Sequence, residues 1–389
     1  MAKKEINVAL IGHKFMGKAH SNGYRKLNFF FPGLPLKIRM KVLCGIPLEE
    51  VKEAGTQFGW EEVDDNWKRV VAREDVDVVD VCTPGNMHHP MVLGALRAGK
   101  HVICEKPLAN TLKEAKEMAA AAKKAKVKNL CAFCYRTAPA ATLARQIIDE
   151  GRIGRIFHFR AAYQQDWIVD PQFPLVWRLK KKTAGSGALG DLGAHIIDMA
   201  RYLVGEIDSI SAATETFIKE RPISQDVSGI VGARQTESKK GKVDVDDAAI
   251  FLARFKDGAL GTFEATRFAP GCKNRHTFEL YGSKGSLRWD LERMNILEYY
   301  NNEAPDHLKG FEQILATEPS HPYYAAWWPP GHNIGYEHLF VHEMFNFFQA
   351  IAGKTKKASP DFDDGVACQA VLATVEKAAK SKKWEKVLR

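Results

Sequence analysis

Roughly the first 130 residues repeat one grammar, a short apolar strand, a tight turn and an amphipathic helix, and no other feature constrains the fold as strongly. Ile6 to Ile11 is a continuous β-rich run, followed by a helix over Gly17 to Leu27. Leu36 to Leu43 leads into a helix over Pro47 to Phe58, whose proline sits at the start, where a missing N–H costs nothing. Val76 to Cys82 leads into His89 to Ala98, a helix stopped by Gly99. His101 to Cys104 precedes a helix opened by a capping box of Thr111 and Glu114, and Leu130 to Cys134 ends the series. Strands joined through helices by short loops run parallel, with helices on both faces. The expected first domain, residues 1–134, is therefore a doubly wound parallel sheet of the dinucleotide-binding Rossmann type.

After residue 135 the pattern changes. A helix over Pro139 to Glu150 leads to a strand over Ile156 to Tyr163, and a long helix follows over Asp191 to Val204. Strands then come in series: Ser209 to Phe217, Ala248 to Phe255, Ala259 to Ala265, His276 to Tyr281 and Ser286 to Asp290. Asp257-Gly258 between two of them supplies the positive φ angles of a tight hairpin turn. Glu220 to Lys242 is polar and irregular and reads as a surface loop, and helices near Glu337 to Ile351 and Asp364 to Lys380 close the chain. Residues 135–389 thus read as an α+β domain, an open-faced and mostly antiparallel sheet carrying helices. Its terminal helices could pack back on the first domain.

Composition removes several functional classes. Lys+Arg 56 against Asp+Glu 47 leaves a net charge of +9, but the lysine pairs lie far apart along the chain. No basic stripe interleaves with aromatics as a nucleic-acid groove requires, so the excess reads as a solvated surface suited to small anionic ligands. Seven cysteines, an odd number with three in or beside buried-looking strands, fit a reducing cytoplasm. Cys131-Ala-Phe-Cys134 has metal spacing without a second ligand pair, and His88-His89 cannot face one another on a helix, so no metal site is expected. No run approaches the length of a membrane span.

The first strand ends in Gly12-His13-Lys14-Phe15-Met16-Gly17 immediately before a helix. In a dinucleotide fingerprint the first glycine makes the turn, the second admits the pyrophosphate and the third lets the helix pack on the sheet. Gly12 and Gly17 fit, and Lys14 stands at the second position, where its ammonium offsets some of the crowding by its Cβ. The second strand ends in Cys44-Gly45-Ile46-Pro47, with neither an acid for a ribose hydroxyl nor an arginine for a 2′-phosphate. That segment does not choose between NAD and NADP. Thr83-Pro84-Gly85-Asn86-Met87-His88 and Glu105-Lys106-Pro107 follow the third and fourth strands, outside the carboxyl ends where open α/β sheets bind ligands.

Glu105-Lys106-Pro107 resembles the EKP motif of the glucose–fructose oxidoreductase / inositol dehydrogenase / rhizopine catabolism (Gfo/Idh/MocA) family. Gly185-Ser-Gly-Ala-Leu-Gly-Asp191-Leu-Gly-Ala-His195 resembles its GD-x-x-x-H helix, and Pro360-Asp-Phe-Asp-Asp364-Gly365 its closing signature. Within the family, Tyr135-Arg136, Gln165-Asp166-Trp167, Trp177-Arg178 and Gly335-Tyr336 look closest to the levoglucosan dehydrogenase branch. The resemblance implies NAD(P)-dependent redox at a secondary hydroxyl of a sugar, anhydrosugar or cyclitol, in a homodimer or homotetramer. It puts NAD ahead of NADP. The cofactor contacts it implies are Gly12, Lys14, Phe15, Met16, Gly17, Thr83, Pro84, Asn86, His88, Glu105 and Lys106.

Oxidising a secondary alcohol requires the hydroxyl proton to leave as hydride departs from the same carbon. Histidine suits that proton near neutral pH, and a cationic lysine stabilises the developing alkoxide. Asp191 and His195 stand four apart and share a helix face, although spacing alone reads equally as a surface pair. By resemblance His195 is the general acid/base, Lys106 the electrostatic partner of the reacting oxygen and Asp191 the orienting group. Tyr135, Gln165, Trp167, Arg178 and Tyr336 suit a sugar pocket, since hydroxyls take amide or guanidinium donors and a sugar's C–H face stacks on an aromatic. Two other readings compete: an NAD-retaining glycoside hydrolase or epimerase working through transient oxidation, and a non-catalytic nucleotide sensor.

Overall fold

The structure, a computed structural model, describes residues 3–223 and 239–388. By backbone proximity the chain divides into two compact units. The first holds residues 1–137, 325–328 and 332–367, and the second holds 138–324, 329–331 and 368–389. The boundary expected after residue 134 lies beside the observed one after Thr137.

The first unit runs β1 (Lys4–Ile11), α1 (Phe15–Phe30), β2 (Leu36–Cys44), α2 (Leu48–Phe58), β3 (Glu62–Asp64), α3 (Trp67–Ala72) and β4 (Val78–Val81). It continues with α4 (His88–Arg97), β5 (His101–Glu105), α5 (Leu112–Ala125) and β6 (Asn129–Ala132). All six strands are parallel, in the order β3-β2-β1-β4-β5-β6. Strand order reverses between β1 and β4, so the turns after Ile11 and Val81 open at the switch point, where such sheets bind ligands. The capping box forms as the spacing requires: Glu114 N–H donates to Thr111 Oγ1 at 3.2 Å, and Thr111 N–H donates to Glu114 Oε2 at 3.1 Å. Only β3 and α3 carry no signal in the sequence pattern. β3 has three residues, none of them buried, and its place is set by pairing with Val42, Leu43 and Cys44.

The second unit begins with α6 (Pro139–Asp149), β7 (Ile156–Gln164) and α7 (Lys181–Ala184). A π-helical turn over Leu189–Gly193 feeds α8 (Ala194–Leu203), where the sequence reads as one uninterrupted helix. Then follow β8 (Ile207–Glu215), β9 (Glu220–Pro222), β10 (Lys240–Lys242), β11 (Ala248–Phe255), β12 (Leu260–Thr266), β13 (Arg275–Gly282), β14 (Gly285–Asp290), β15 (Ile296–Asn301) and β16 (Phe311–Leu315). The ends of the expected surface loop pair as β9 and β10, and its residues 224–238 lie outside the described ones. After α9 (Tyr336–Ile351), which belongs to the first unit, α10 (Phe362–Ser381) begins in the first and ends in the second, followed by β17 (Glu385–Lys386).

Nine strands form the second sheet, in the order β16-β15-β14-β13-β7-β12-β11-β8-β17, and only the β7–β12 pair is parallel. Its covered face carries Phe159, Phe251, Phe263 and Phe278, all nearly without exposure, with the Phe251 and Phe263 rings stacked at 4.5 Å. Burying such a ring contributes up to about 3 kcal/mol, which fixes the register of the alternating strands. On the opposite face Ile250, Leu252, Leu260 and Phe311 remain exposed. Among the described residues no helix is long and apolar enough to cross a membrane.

Candidate active site

Gly12 closes the turn after β1 at φ +115°, and a Cβ there would stand 2.5 Å from the Cys82 carbonyl oxygen. A Cβ on Gly17 would run into the Gly12 carbonyl. Both positions therefore admit only glycine, and together they leave the amides at the start of α1 open to an anion. This cradle fits a dinucleotide. Lys14 does not fill it. Its ammonium pairs with Glu50 in the first turn of α2, and the His13 Nε2–H donates to the same carboxylate oxygen at 3.3 Å. Those two donors hold Glu50 below the usual carboxylate range. Glu50 is the acid that the second strand's end lacks; it lies six residues beyond Cys44 and reaches the loop only through the fold. Phe15 is half exposed and stacks on Tyr336 at 6.5 Å, and Tyr135 lies 6.3 Å from Tyr336.

The two loops after β4 and β5 are tied together. His88 turns inward, 1% exposed, with Nε2 2.8 Å from the Thr83 carbonyl and Nδ1 3.1 Å from that of Pro107. Glu105 also points inward, 5% exposed, and its Oε2 accepts from the Lys106 N–H at 3.1 Å. Asn86 stays exposed, while Thr83 and Pro84 are partly open. The closing signature packs beside β6: Phe362 N–H donates to Asn129 Oδ1 at 2.7 Å and Cys131 N–H to the Pro360 carbonyl at 3.0 Å. Asp364 lies 3.5 Å from the buried Arg136 guanidinium.

In the second unit the glycine-rich entry to α8 is held from a distant residue. Asp246 accepts from the N–H groups of Gly187 and Leu189, both at 2.7 Å, and its carbonyl accepts from Ala188 N–H. A Cβ on Gly187 would collide with that carbonyl. Asp191 leaves this turn toward Arg267, whose Nη2 donates to Asp191 Oδ2 at 2.8 Å. Arg267 is 1% exposed, and its guanidinium lies 5.3 Å from the centre of the Trp167 ring. His195, 7% exposed, sits 5.8 Å from the Tyr163 ring, which stacks on His276 at 5.1 Å. Burial pushes His276 down to about 3, so His276 adds no charge behind His195.

A polar row runs along the same wall. Trp167 Nε1–H donates to Gln165 Oε1 at 2.8 Å, Gln165 Nε2–H to Asn274 Oδ1 at 2.8 Å, and the Tyr163 hydroxyl to the same Asn274 oxygen at 2.7 Å. Asp191, His195, Gln165 and Trp167 are thus gathered in one unit, whereas Tyr135 and Tyr336 belong with Phe15 in the other. Arg178 instead lies over the ring of its neighbour Trp177 at 4.4 Å. Sequence reasoning misses Arg267, Asn274 and Asp246, brought in from far along the chain, and Tyr163, whose place in the row shows only in its bond to Asn274. An aspartate two residues before β11 and an arginine directly after β12 are unremarkable until the sheet pairs.

The family described as an oxidoreductase family with an NAD-binding Rossmann fold matches residues 6–133, and the GFO/IDH/MocA C-terminal domain matches residues 142–288. Levoglucosan dehydrogenase of Pseudarthrobacter phenanthrenivorans is 42% identical over 386 residues, covering 98% of each chain. The chain is a GFO/IDH/MocA oxidoreductase. It is an NAD-dependent oxidoreductase acting on sugar hydroxyl groups. The crystal structure of an oxidoreductase domain protein from Kribbella flavida superposes with a TM-score of 0.93 at 48% identity, covering 99% of this chain and 100% of that one. A levoglucosan dehydrogenase in complex with NADH and levoglucosan superposes at 0.93 with 41% identity and the same coverage.

Proposed function

We propose that this GFO/IDH/MocA oxidoreductase oxidises a secondary hydroxyl of an anhydrosugar of the levoglucosan type, with NAD as the acceptor. The observation that carries the reading is the wall of the second unit. An aromatic face, an amide row and an arginine-held carboxylate accompany a histidine backed by uncharged rings. His195 takes the hydroxyl proton, and Asp191, kept anionic by Arg267, orients it and the substrate. Lys106 stabilises the alkoxide. Gln165 and Trp167 hold the ring, Arg178 adds a donor at the rim, and Tyr135 and Tyr336 add aromatic contacts.

NAD bound at Gly12, Phe15, Met16 and Gly17 supplies the hydride acceptor, with Thr83, Pro84 and Asn86 along its path. Lys14 and Glu50 act there as a pair. His88 and Glu105 serve by bracing the two loops from within. A carboxylate beside the glycine loop repels a 2′-phosphate, which supports NAD over NADP.

The reading is tested by following reduced-nicotinamide absorbance with NAD or NADP against levoglucosan, L-sorbose, myo-inositol and glucose. NADH formation with levoglucosan is expected, and no reduction with any sugar overturns the proposal. Lys106→Ala and His195→Ala should each lower kcat by ~10²–10⁴ while leaving a folded protein.

The open sheet face supports a second copy of the chain as partner. Ile250 and Leu252 of β11 and Leu260 of β12 are each between 41% and 57% exposed on neighbouring strands whose rows also carry Arg160 and Arg254, and Phe311 is exposed on the edge strand β16. Large exposed apolar side chains grouped on one sheet face suit a protein–protein contact. A homodimer or homotetramer is expected in sedimentation, and Ile250→Lys with Leu252→Glu should shift it toward monomer. None of the seven cysteines is in a disulfide, which suits the cytoplasm.

A further inference from the structure

The helix that starts at the glycine loop carries two polar side chains into the interior of its own unit. His20 is 0% exposed and Tyr24 is 1% exposed, one and two turns into α1. Each ring nitrogen of His20 meets a carboxylate: Nδ1 lies 2.8 Å from Asp80 Oδ2, and Nε2 lies 3.0 Å from Glu105 Oε1. The Tyr24 hydroxyl donates to the same Asp80 oxygen at 2.7 Å. Carboxylates only accept, so a ring with one on each nitrogen donates from both and is an imidazolium. Burial alone would discharge it, but the adjacent Asp80 carries His20 well above the ordinary histidine range.

Glu105 uses its two oxygens on two different elements. Oε1 accepts from His20 of α1, and Oε2 accepts from the backbone N–H of Lys106. The relay therefore runs from Tyr24 through Asp80, His20 and Glu105 to the Lys106 backbone. It ties α1, β4 and the end of β5 at one point.

His20, Asp80 and Cys82 are also close enough to invite a metal reading. The geometry is against it. Ligands bound at ~2.1 Å around a tetrahedral ion stand ~3.4 Å apart, farther than the 2.8 Å between Nδ1 and Oδ2. Burial also pushes the Cys82 thiol well up, away from the thiolate a metal needs. As a stabilising device, a buried ion network performs no better than packed apolar side chains of the same volume. What it supplies is one defined geometry.

We propose that His20, clamped between Asp80 and Glu105, is a positioning residue that fixes Lys106 relative to the glycine loop at the start of the same helix. This rests on the role assigned above to Lys106. A shift of about 1 Å in a reacting group can cost on the order of 10²-fold in rate, so losing the clamp should register in turnover.

The test uses His20→Gln and Glu105→Gln in the full chain, with His20→Ala as the more severe variant. Exchange of the Lys106 amide proton is read by NMR, NADH affinity by fluorescence, and kcat and KM with levoglucosan. The Lys106 amide should exchange ~10-fold faster or more in each folded variant. Turnover should fall by ~10–10², with KM and the NADH Kd within about threefold. On a Lys106→Ala background, His20→Gln should cost less than about threefold more, because it acts through that lysine.

Unchanged Lys106 exchange and kcat in folded His20→Gln would overturn the proposal, as would a full multiplicative loss on the Lys106→Ala background or one metal ion per chain bound at His20. If the wild-type enzyme turns over no sugar, the functional reading fails on its own, and the exchange rate still decides whether His20 holds Lys106.

Discussion

His342 on α9 should make the first unit acid-sensitive through a hydrogen-bond pattern that leaves its ring no room for a second proton. The ring is fully buried. Trp327 Nε1–H, which can only donate, points at His342 Nε2 from 2.6 Å, so that nitrogen must present a lone pair. The proton then sits on Nδ1 and is donated to the Thr137 carbonyl at 2.9 Å. Protonating Nε2 would set two N–H groups against each other, and burial already holds the ring down to about 3. In the unfolded chain the same ring titrates near ~6.5.

Above about pH 6.5 both states carry a neutral ring, and the contribution is fully present. Below it the unfolded chain binds a proton that the folded one refuses, so stability falls by ~1.4 kcal/mol per pH unit until about pH 3. Between pH 6.5 and 4.5 the loss is about 2 kcal/mol, a sizeable part of a typical domain's stability. His342→Gln keeps an oxygen for Trp327 and cannot titrate. It should cost ~1–2 kcal/mol at pH 7 for the lost bond to Thr137. Urea unfolding of both proteins at pH 7.0, 6.0, 5.0 and 4.5, followed by tryptophan fluorescence, isolates the effect, because every other titration is common to the two. The variant should overtake the wild type near pH 5. A stability difference that does not change with pH would refute the tautomer assignment.

Two further changes probe the proposed site directly. Glu50→Gln removes the carboxylate beside Lys14 and should move the ratio of NADP to NAD affinity at least ~10-fold toward NADP in calorimetry; an unmoved ratio would place the selecting group elsewhere. Arg267→Met removes the donor to Asp191 and should lower kcat/KM by ~10–10², with NADH affinity unchanged; a parallel loss of both would mean the residue supports the fold alone.

What could be read from the sequence was local. The turn between β1 and α1, the Thr111–Glu114 cap and the Asp257-Gly258 hairpin each draw their signal from neighbours within six residues. Strong alternation did the same for β11, expected and found at Ala248–Phe255. The strands at one side of the second sheet were not legible. β15 and the edge strand β16 are short and mostly polar or half exposed, so they lack the alternation that one buried face imposes, and only the pairing of β15 with β14 and of β16 with β15 gives them register. The π-helical turn before α8 was hidden for a related reason. It depends on Asp246, 55 residues beyond Asp191, gripping the Gly187 and Leu189 amides. Lys14 shows the limit of motif reading. At its fingerprint position it was expected to face the phosphates, yet Glu50 draws its ammonium aside.

Charge placement follows one rule in each unit, and that rule explains why the least legible residues matter. The proposed reaction turns on one proton at one hydroxyl, so a neighbour that exchanged protons in the same range would blur which group holds it. The supporting groups are frozen instead. His20 is kept charged by two carboxylates, and the Cys82 and Cys104 thiols and the Tyr336 phenol are kept protonated by burial. In the second unit His276 stays neutral to about 3, and Asp191 has Arg267 as its fixed counter-charge. Freezing a charge in a protein interior takes either a complete shell of partners or burial that penalises the charged form. Both conditions are assembled from residues 50 to 100 positions apart, such as His20 with Glu105 and Asp191 with Arg267. A motif can therefore mark the group that reacts, while the groups that keep its surroundings from reacting become visible only when the sheets have formed.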